Sequence, residues 1–190
     1  MTTTTAFEFM LRRAVDADVD GMNVLIEESA RALGAGYYTP QQTESAIRYI
    51  FGVDRQLIAD GTFYVALRTG GCGGAPRLVG CGGWSKRRTL FGGDQYAGRE
   101  DSLLDPAVDA ARIRAFFVRP AFARRGIGRA ILDECERAAR AAGFTRAEMA
   151  ATLPGEPLYA ACGYRVVDGF DIAMPDGLAL PVRRMLKSLV

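Results

Sequence analysis

The sequence contains no histidine. That absence removes His-ligated metal sites, the Ser-His-Asp triad and every histidine general base. Net charge is also scarce. Lys plus Arg is 24 and Asp plus Glu is 22, which leaves +2. So small an excess gives no field for binding a phosphate backbone, and nucleic acid is not an expected partner. The four cysteines are Cys72, Cys81, Cys135 and Cys162, and no two stand at CxxC spacing. A zinc ribbon or a thioredoxin-type motif is therefore not expected, and neither is a metal. No stretch approaches the roughly 18 apolar residues of a membrane helix. The opening run from Met1 to Ala6 is threonine-rich, without the basic and apolar segments of a secretory signal. The cysteines accordingly read as reduced thiols, and the chain as a cytoplasmic protein with no membrane partner.

What is present is ordinary for a globular chain: 190 residues, 49% apolar and 24% charged. That length predicts one domain spanning 1–190. Residues 7–12 read as a first strand, and Asp16 as the N-cap of a helix. Met22, Leu25, Ile26, Ser29 and Leu33 then recur at helical spacing up to Gly34. Thr39-Pro40-Gln41-Gln42 is a capping box with proline at the first helical position. Ala46, Ile47, Ile50 and Phe51 make the buried stripe that follows. Segments 56–59 and 62–67 flank Asp60-Gly61 and predict a hairpin. A glycine-rich turn at 69–76 leads to a strand at 77–85. Segment 90–110 is polar and weakly periodic, the kind of long loop that often carries function. Strands follow at 113–118 and 144–151, with a helix between them from 126 to 142. A short helix at 156–162 comes next, then a strand start at 164–167 and a hairpin of 170–174 with 178–185. The order β-α-α-β-β-β-α-β-α-β-β implies a mixed sheet with helices on both faces.

The informative stretch runs from Ile113 to Ala130. It is a strand, a basic turn, two glycines and a helix. A first helical turn leaves several N–H groups unpartnered, and the helix dipole adds partial positive charge. Gly126 and Gly128 admit close approach to the main chain, and Arg124, Arg125 and Arg129 add formal charge. Together these make an anion site suited to a pyrophosphate. It is not a P-loop, because Gly-x-x-x-x-Gly-Lys-Ser/Thr is absent. It is not a Rossmann turn either: Ile131 stands where the third small residue belongs, and the motif lies late in the chain.

Val118-Arg119-Pro120 followed by Arg125-Gly126-Ile127-Gly128-Arg129-Ala130 resembles motif A of the GNAT superfamily, the acyl-CoA-dependent N-acetyltransferases. Leu158-Tyr159-Ala160-Ala161-Cys162-Gly163-Tyr164 is similar to a second signature of that family. The resemblance implies an α/β GNAT fold: a mixed, mostly antiparallel sheet, helices on both faces, and a splayed central strand pair. It implies acetyl-CoA as co-substrate, with direct attack of a primary amine of a small molecule or peptide on the thioester. By residue match, Arg124, Arg125, Gly126, Ile127, Gly128 and Arg129 would hold the pyrophosphate. Main-chain groups of Phe116, Phe117 and Val118 would pair with pantetheine as an added strand would. Tyr159 would be the acid for the departing thiolate, and a strand N–H would polarise the carbonyl. Thr152 stands where relatives commonly have asparagine.

Relatives often place a glutamate early on the fourth strand, but this chain reads Arg112-Ile113-Arg114. Arginine cannot deprotonate an amine at neutral pH. Either another carboxylate acts, with Asp94, Asp109 and Glu148 as candidates, or water relays the proton. Arg112 or Arg114 could instead bind an acidic group of the substrate, or simply face solvent. Trp84 either lines the acceptor pocket or packs in the core. Tyr37 and Tyr38 stand where relatives have acceptor-site connectors, or else pack on the surface, which is the preferred reading. An alternative to the enzyme is a catalytically weak CoA-binding module on the same fold. Family habit allows a homodimer through the C-terminal hairpin or the long loop.

Overall fold

The computed structural model describes residues 8–68 and 76–190. The threonine run, Cys72 and nearly all of the expected glycine-rich turn lie outside these residues. Seven strands and five α-helices alternate along the described chain. Strand β1 (Phe9–Arg13) precedes α1 (Val19–Gly34), α2 (Pro40–Tyr49) and a short α3 (Arg55–Ala59). Strands β2 (Phe63–Arg68), β3 (Arg77–Ser85) and β4 (Ala111–Val118) follow, then α4 (Ile127–Ala141), β5 (Arg146–Thr152) and α5 (Glu156–Ala161). Strands β6 (Arg165–Ala173) and β7 (Ala179–Ser188) close the sheet. Its order is β1-β2-β3-β4-β5-β7-β6. All neighbours are antiparallel except β4 and β5, which run parallel.

The helices cover both faces, as the strand pattern requires. Side chains alternate along a strand with period two. On β2, Tyr64 and Ala66 meet Ile127, Ile131 and Cys135 of α4, whereas Phe63 and Val65 meet Met22, Leu25 and Ile26 of α1. A third cluster joins Ala46 of α2 and Ile50 just beyond its end to Ile172, Leu180 and Val182 of β6 and β7. Each fully buried side chain of this size contributes about 1.5–3 kcal/mol. The capping box forms as expected: Thr39 Oγ1 accepts from the Gln42 N–H at 3.2 Å, and Gln42 Oε1 accepts from the Thr39 N–H at 3.0 Å.

Several expectations need correction. Segment 56–59 is not a strand but most of α3, and Asp60-Gly61 joins helix to strand. Asp54 explains this: its carboxylate caps the Gln56 N–H at 3.0 Å, and Leu57 is fully buried. Asp16 is not the cap of the first helix. Asp18 accepts from the Val15 N–H at 2.9 Å and pairs with Arg12 at 2.7 Å. Leu33 faces outward. Segments 164–167 and 170–174 belong to one strand, β6, which a bulge between Val166 and Asp168 bends along the ten-residue β7.

Candidate functional site

Strands β4 and β5 pair only at Ala111 with Ala147 and at Arg112 with Glu148, then part. The cause is local. Across β3, the pairing passes from Gly83 with Arg114 to Cys81 with Phe117, so β4 carries one extra residue. Ala115 takes the left-handed conformation inside that bulge, at φ 56°. A bulge bends its strand and interrupts the ladder. Glycines on β3 make room behind it: a Cβ on Gly82 would lie 2.8 Å from the Phe116 ring.

A cleft of about 570 Å³ opens into the gap. Ser29 of α1 and Leu158 of α5 form opposing walls, and Phe116 to Val118 run along its floor. At one end lies the turn into α4. Arg124 (φ 63°) and Gly126 (φ 82°) are both left-handed, which shapes the main chain into a concavity. The Ala130 N–H makes its helical bond to the Gly126 carbonyl at 2.9 Å. The N–H groups of Ile127, Gly128 and Arg129 precede it and belong to the unpartnered first turn. All three residues line the cleft, with Arg124 beside them. A Cβ on Gly128 would sit 2.9 Å from Leu158. Arg125 does not line the cleft; its guanidinium lies over the Phe122 ring. Val118 has its N–H against Ser29 Oγ at 3.3 Å.

A smaller cavity of about 80 Å³ lies on the other side of the gap. Phe51, Phe91, Phe117, Ile172, Leu180 and Arg114 are among its walls. Tyr159 and Thr152 border both cavities, so the two meet there. Tyr159 is only 7% exposed, with its ring edge-on to Phe116 and to Tyr164. No described residue accepts a hydrogen bond from its hydroxyl. Burial pushes its pKa well above the ordinary phenol value, so it is protonated at neutral pH.

Of the two arginines of β4, Arg114 is buried and Arg112 half-buried, and neither belongs to a solvated face. Arg112 pairs with Glu148 at the closed end of the gap, and Glu148 also accepts from Arg184 Nε at 2.9 Å. Arg114 reaches Asp54 at 2.6 Å and the Gly92 carbonyl. Asp54 is fully buried and binds Arg99 as well, at 2.9 Å. Trp84 is a core residue: it packs edge-on against Phe144 and lines neither cavity. The other carboxylates named from the sequence are occupied elsewhere. Asp94 accepts from the Arg55 N–H at 2.9 Å, and Asp109 from the Asp105 N–H at 2.8 Å. Tyr37 is exposed, but Tyr38 is buried; it donates to the Pro181 carbonyl at 2.8 Å and accepts from the Leu153 N–H at 2.9 Å. Burial pushes Tyr38 up to about 12. Cys81 and Cys135 are buried thiols, both with raised pKa from burial. Sequence reasoning missed Asp54 and the role of Ser29. The signal for Ser29 was its polar hydroxyl at a position of the apolar stripe.

Among the described residues no group of three or more Cys, Asp or Glu is placed to hold a metal ion, and no helix is long and apolar enough to cross a membrane. The model of the Acetyltransferase (GNAT) family matches residues 22–164. A comparison with curated proteins finds no match. Among solved structures, a GCN5-related N-acetyltransferase from Rhodopseudomonas palustris is 20% identical, with TM-score 0.67 over 98% of this chain and 99% of that one. The PaiA N-acetyltransferase of Thermoplasma acidophilum, in complex with coenzyme A, is 14% identical, with TM-score 0.61 over 95% and 99%. YncA of Salmonella typhimurium, a putative acetyltransferase with acetyl-CoA bound, is 14% identical, with TM-score 0.60 over 96% and 95%.

Proposed function

Since this chain belongs to the GNAT acetyltransferase family, we propose that it is an acetyl-CoA-dependent N-acetyltransferase acting on a primary amine. The observation that carries this reading is the meeting of two cavities at Tyr159, with an anion cradle at the far end of the larger one. Two of the similar structures hold coenzyme A or acetyl-CoA, which supports that ligand for this cleft.

The residues present fit such a ligand. The main-chain N–H groups of Gly126 to Arg129 would take the pyrophosphate, aided by Arg124 and Arg129. The β4 edge at Phe116 to Val118 would pair with the pantetheine amides. The Val118 N–H would then exchange Ser29 Oγ for the ligand, and the 3.3 Å length of the present bond makes that exchange inexpensive. Acetyl-CoA supplies an activated acyl group when bound. The protein aligns the amine in the smaller cavity with that group in the larger one, excludes water with aromatic walls, and keeps a proton on Tyr159 for the departing sulfur.

Isothermal titration with acetyl-CoA tests the reading, with dephospho-CoA and free ADP as controls. Acetyl-CoA is expected to bind, and Gly128→Glu to weaken binding at least tenfold, because the new side chain meets Leu158 and carries charge of the wrong sign. No heat at millimolar ligand would overturn the proposal. Binding without turnover of any amine would leave a CoA-binding module instead.

A further inference from the structure

The smaller cavity is built for an uncharged guest. Its charged lining residue is a cation, Arg114; the remaining side chains are mostly aromatic and aliphatic, with the main chain of Gly52, Gly92 and Gly93 between them, so that about half of the lining it presents is polar. No carboxylate lines either cavity among the described residues. The nearby acids are already engaged: Asp54 lies between Arg114 and Arg99, Glu148 between Arg112 and Arg184, and Asp94, which lines a neighbouring pocket and not this cavity, accepts from the Arg55 N–H and lies 3.8 Å from Arg99. The other charged side chains facing the gap, Arg124 and Arg129, are cations at the far end of the larger cleft. The titratable groups that remain are the phenols of Tyr37, Tyr38 and Tyr159, and burial raises the pKa of the last two. An ammonium ion would enter this cavity with no counter-charge, beside a buried guanidinium, and would be desolvated as well. Each of these effects favours the neutral amine.

We infer that the acceptor is a weakly basic amine on a small apolar body, bound in its neutral form, and that no described side chain deprotonates it before attack. This rests on the acetyl transfer proposed above. The amine lone pair forms the C–N bond as the C–S bond breaks. Tyr159 gives its proton to the sulfur and regains one, through water, from the acylated nitrogen, so no proton is consumed. At about 80 Å³ the cavity is half the size of one that admits benzene, which limits the buried group to a few carbons. Amines bearing a second positive charge are excluded.

The test compares valinamide with isobutylamine, which share an isopropyl group, and adds putrescine as the dication. An α-amino group titrates near about 7.8 and a simple alkylamine near about 10.4, so at pH 7 their neutral fractions differ about 300-fold. The rising limb of kcat/KM is expected near pH 8 for valinamide and near pH 10 for isobutylamine. Putrescine is expected to react at least tenfold more slowly than isobutylamine at equal pH. A limb at one common pH for both monoamines would identify a protein base and overturn the inference, as would faster turnover of putrescine. Titration with acetyl-CoA runs alongside. If acetyl-CoA binds and a protein base appears, only this inference falls. If acetyl-CoA does not bind, the proposed function falls and takes the inference with it.

Discussion

Tyr159 stands where the two cavities meet, buried yet without a hydrogen-bond partner for its hydroxyl among the described residues. A core tyrosine usually finds one. Tyr159→Phe keeps the ring contacts with Phe116 and Tyr164 and removes only the proton. It is expected to lower kcat about 10²-fold while leaving the affinity for acetyl-CoA unchanged, which steady-state kinetics beside calorimetry would read. Asp54 is a structural counterpart. Asp54→Asn would leave Arg114 buried and uncompensated, a change expected to lower stability by about 3–5 kcal/mol in urea unfolding. Acid sensitivity has a named contributor in Asp60. Its bonds to Arg87, at 2.7 and 2.9 Å, hold the carboxyl below its ordinary pKa. The folded value lies below the unfolded one, so this stabilisation is complete above about pH 4 and is lost as pH falls through the folded pKa. Asp60→Asn should therefore flatten the drop in urea midpoint below pH 4. At this scale the sequence was legible for place where it is set by neighbours in the chain: Gly126, Gly128 and Tyr159 all line the cleft. It was not legible for Arg112, Arg114 and Trp84. Their surroundings come from β5, α3 and the 90–110 loop, which pairing across the sheet brings in.

The elements that were easiest to read are those with chemical punctuation. Thr39-Pro40-Gln41-Gln42 placed the start of α2, and Gly126 with the stripe of Ile127, Ile131 and Cys135 placed α4. Thr39→Ala is expected to lower stability by about 1 kcal/mol, because the Gln42 N–H loses its acceptor. The short α3 was misread because five residues show no period, and Asp-Gly is a hairpin signal only when strands flank it. The cap from Asp54 decided the matter, and Asp54 is held in turn by two distant arginines. The bulge in β4 left no mark in composition either: Ala115 is an ordinary residue in an unusual conformation. The element that opens the gap is thus set by register against β3, not by its own residues.

At the level of the whole molecule, element order apart from α3 and the placing of helices on both faces followed from the sequence, but the position of β7 between β5 and β6 did not, since local patterns carry no information about which strand inserts. The consequence of the parting strands is a seam. The sheet consists of β1 to β4 on one side and β5, β7 and β6 on the other, joined by two residue pairs. A ligand laid along β4 occupies the place where a neighbouring strand would otherwise be hydrogen-bonded. Ligand that binds only the folded state stabilises it by about 2.7 kcal/mol at a hundred times its Kd. Amides of β4 and β5 that line the gap are accordingly expected to slow most in hydrogen exchange when acetyl-CoA is added, with little change at β1. On the proposed function, the same seam would act as a clasp closed by its ligand: with acetyl-CoA laid along β4 the two half-sheets are expected to resist proteolysis, and without it cleavage is expected to begin at the gap between β4 and β5.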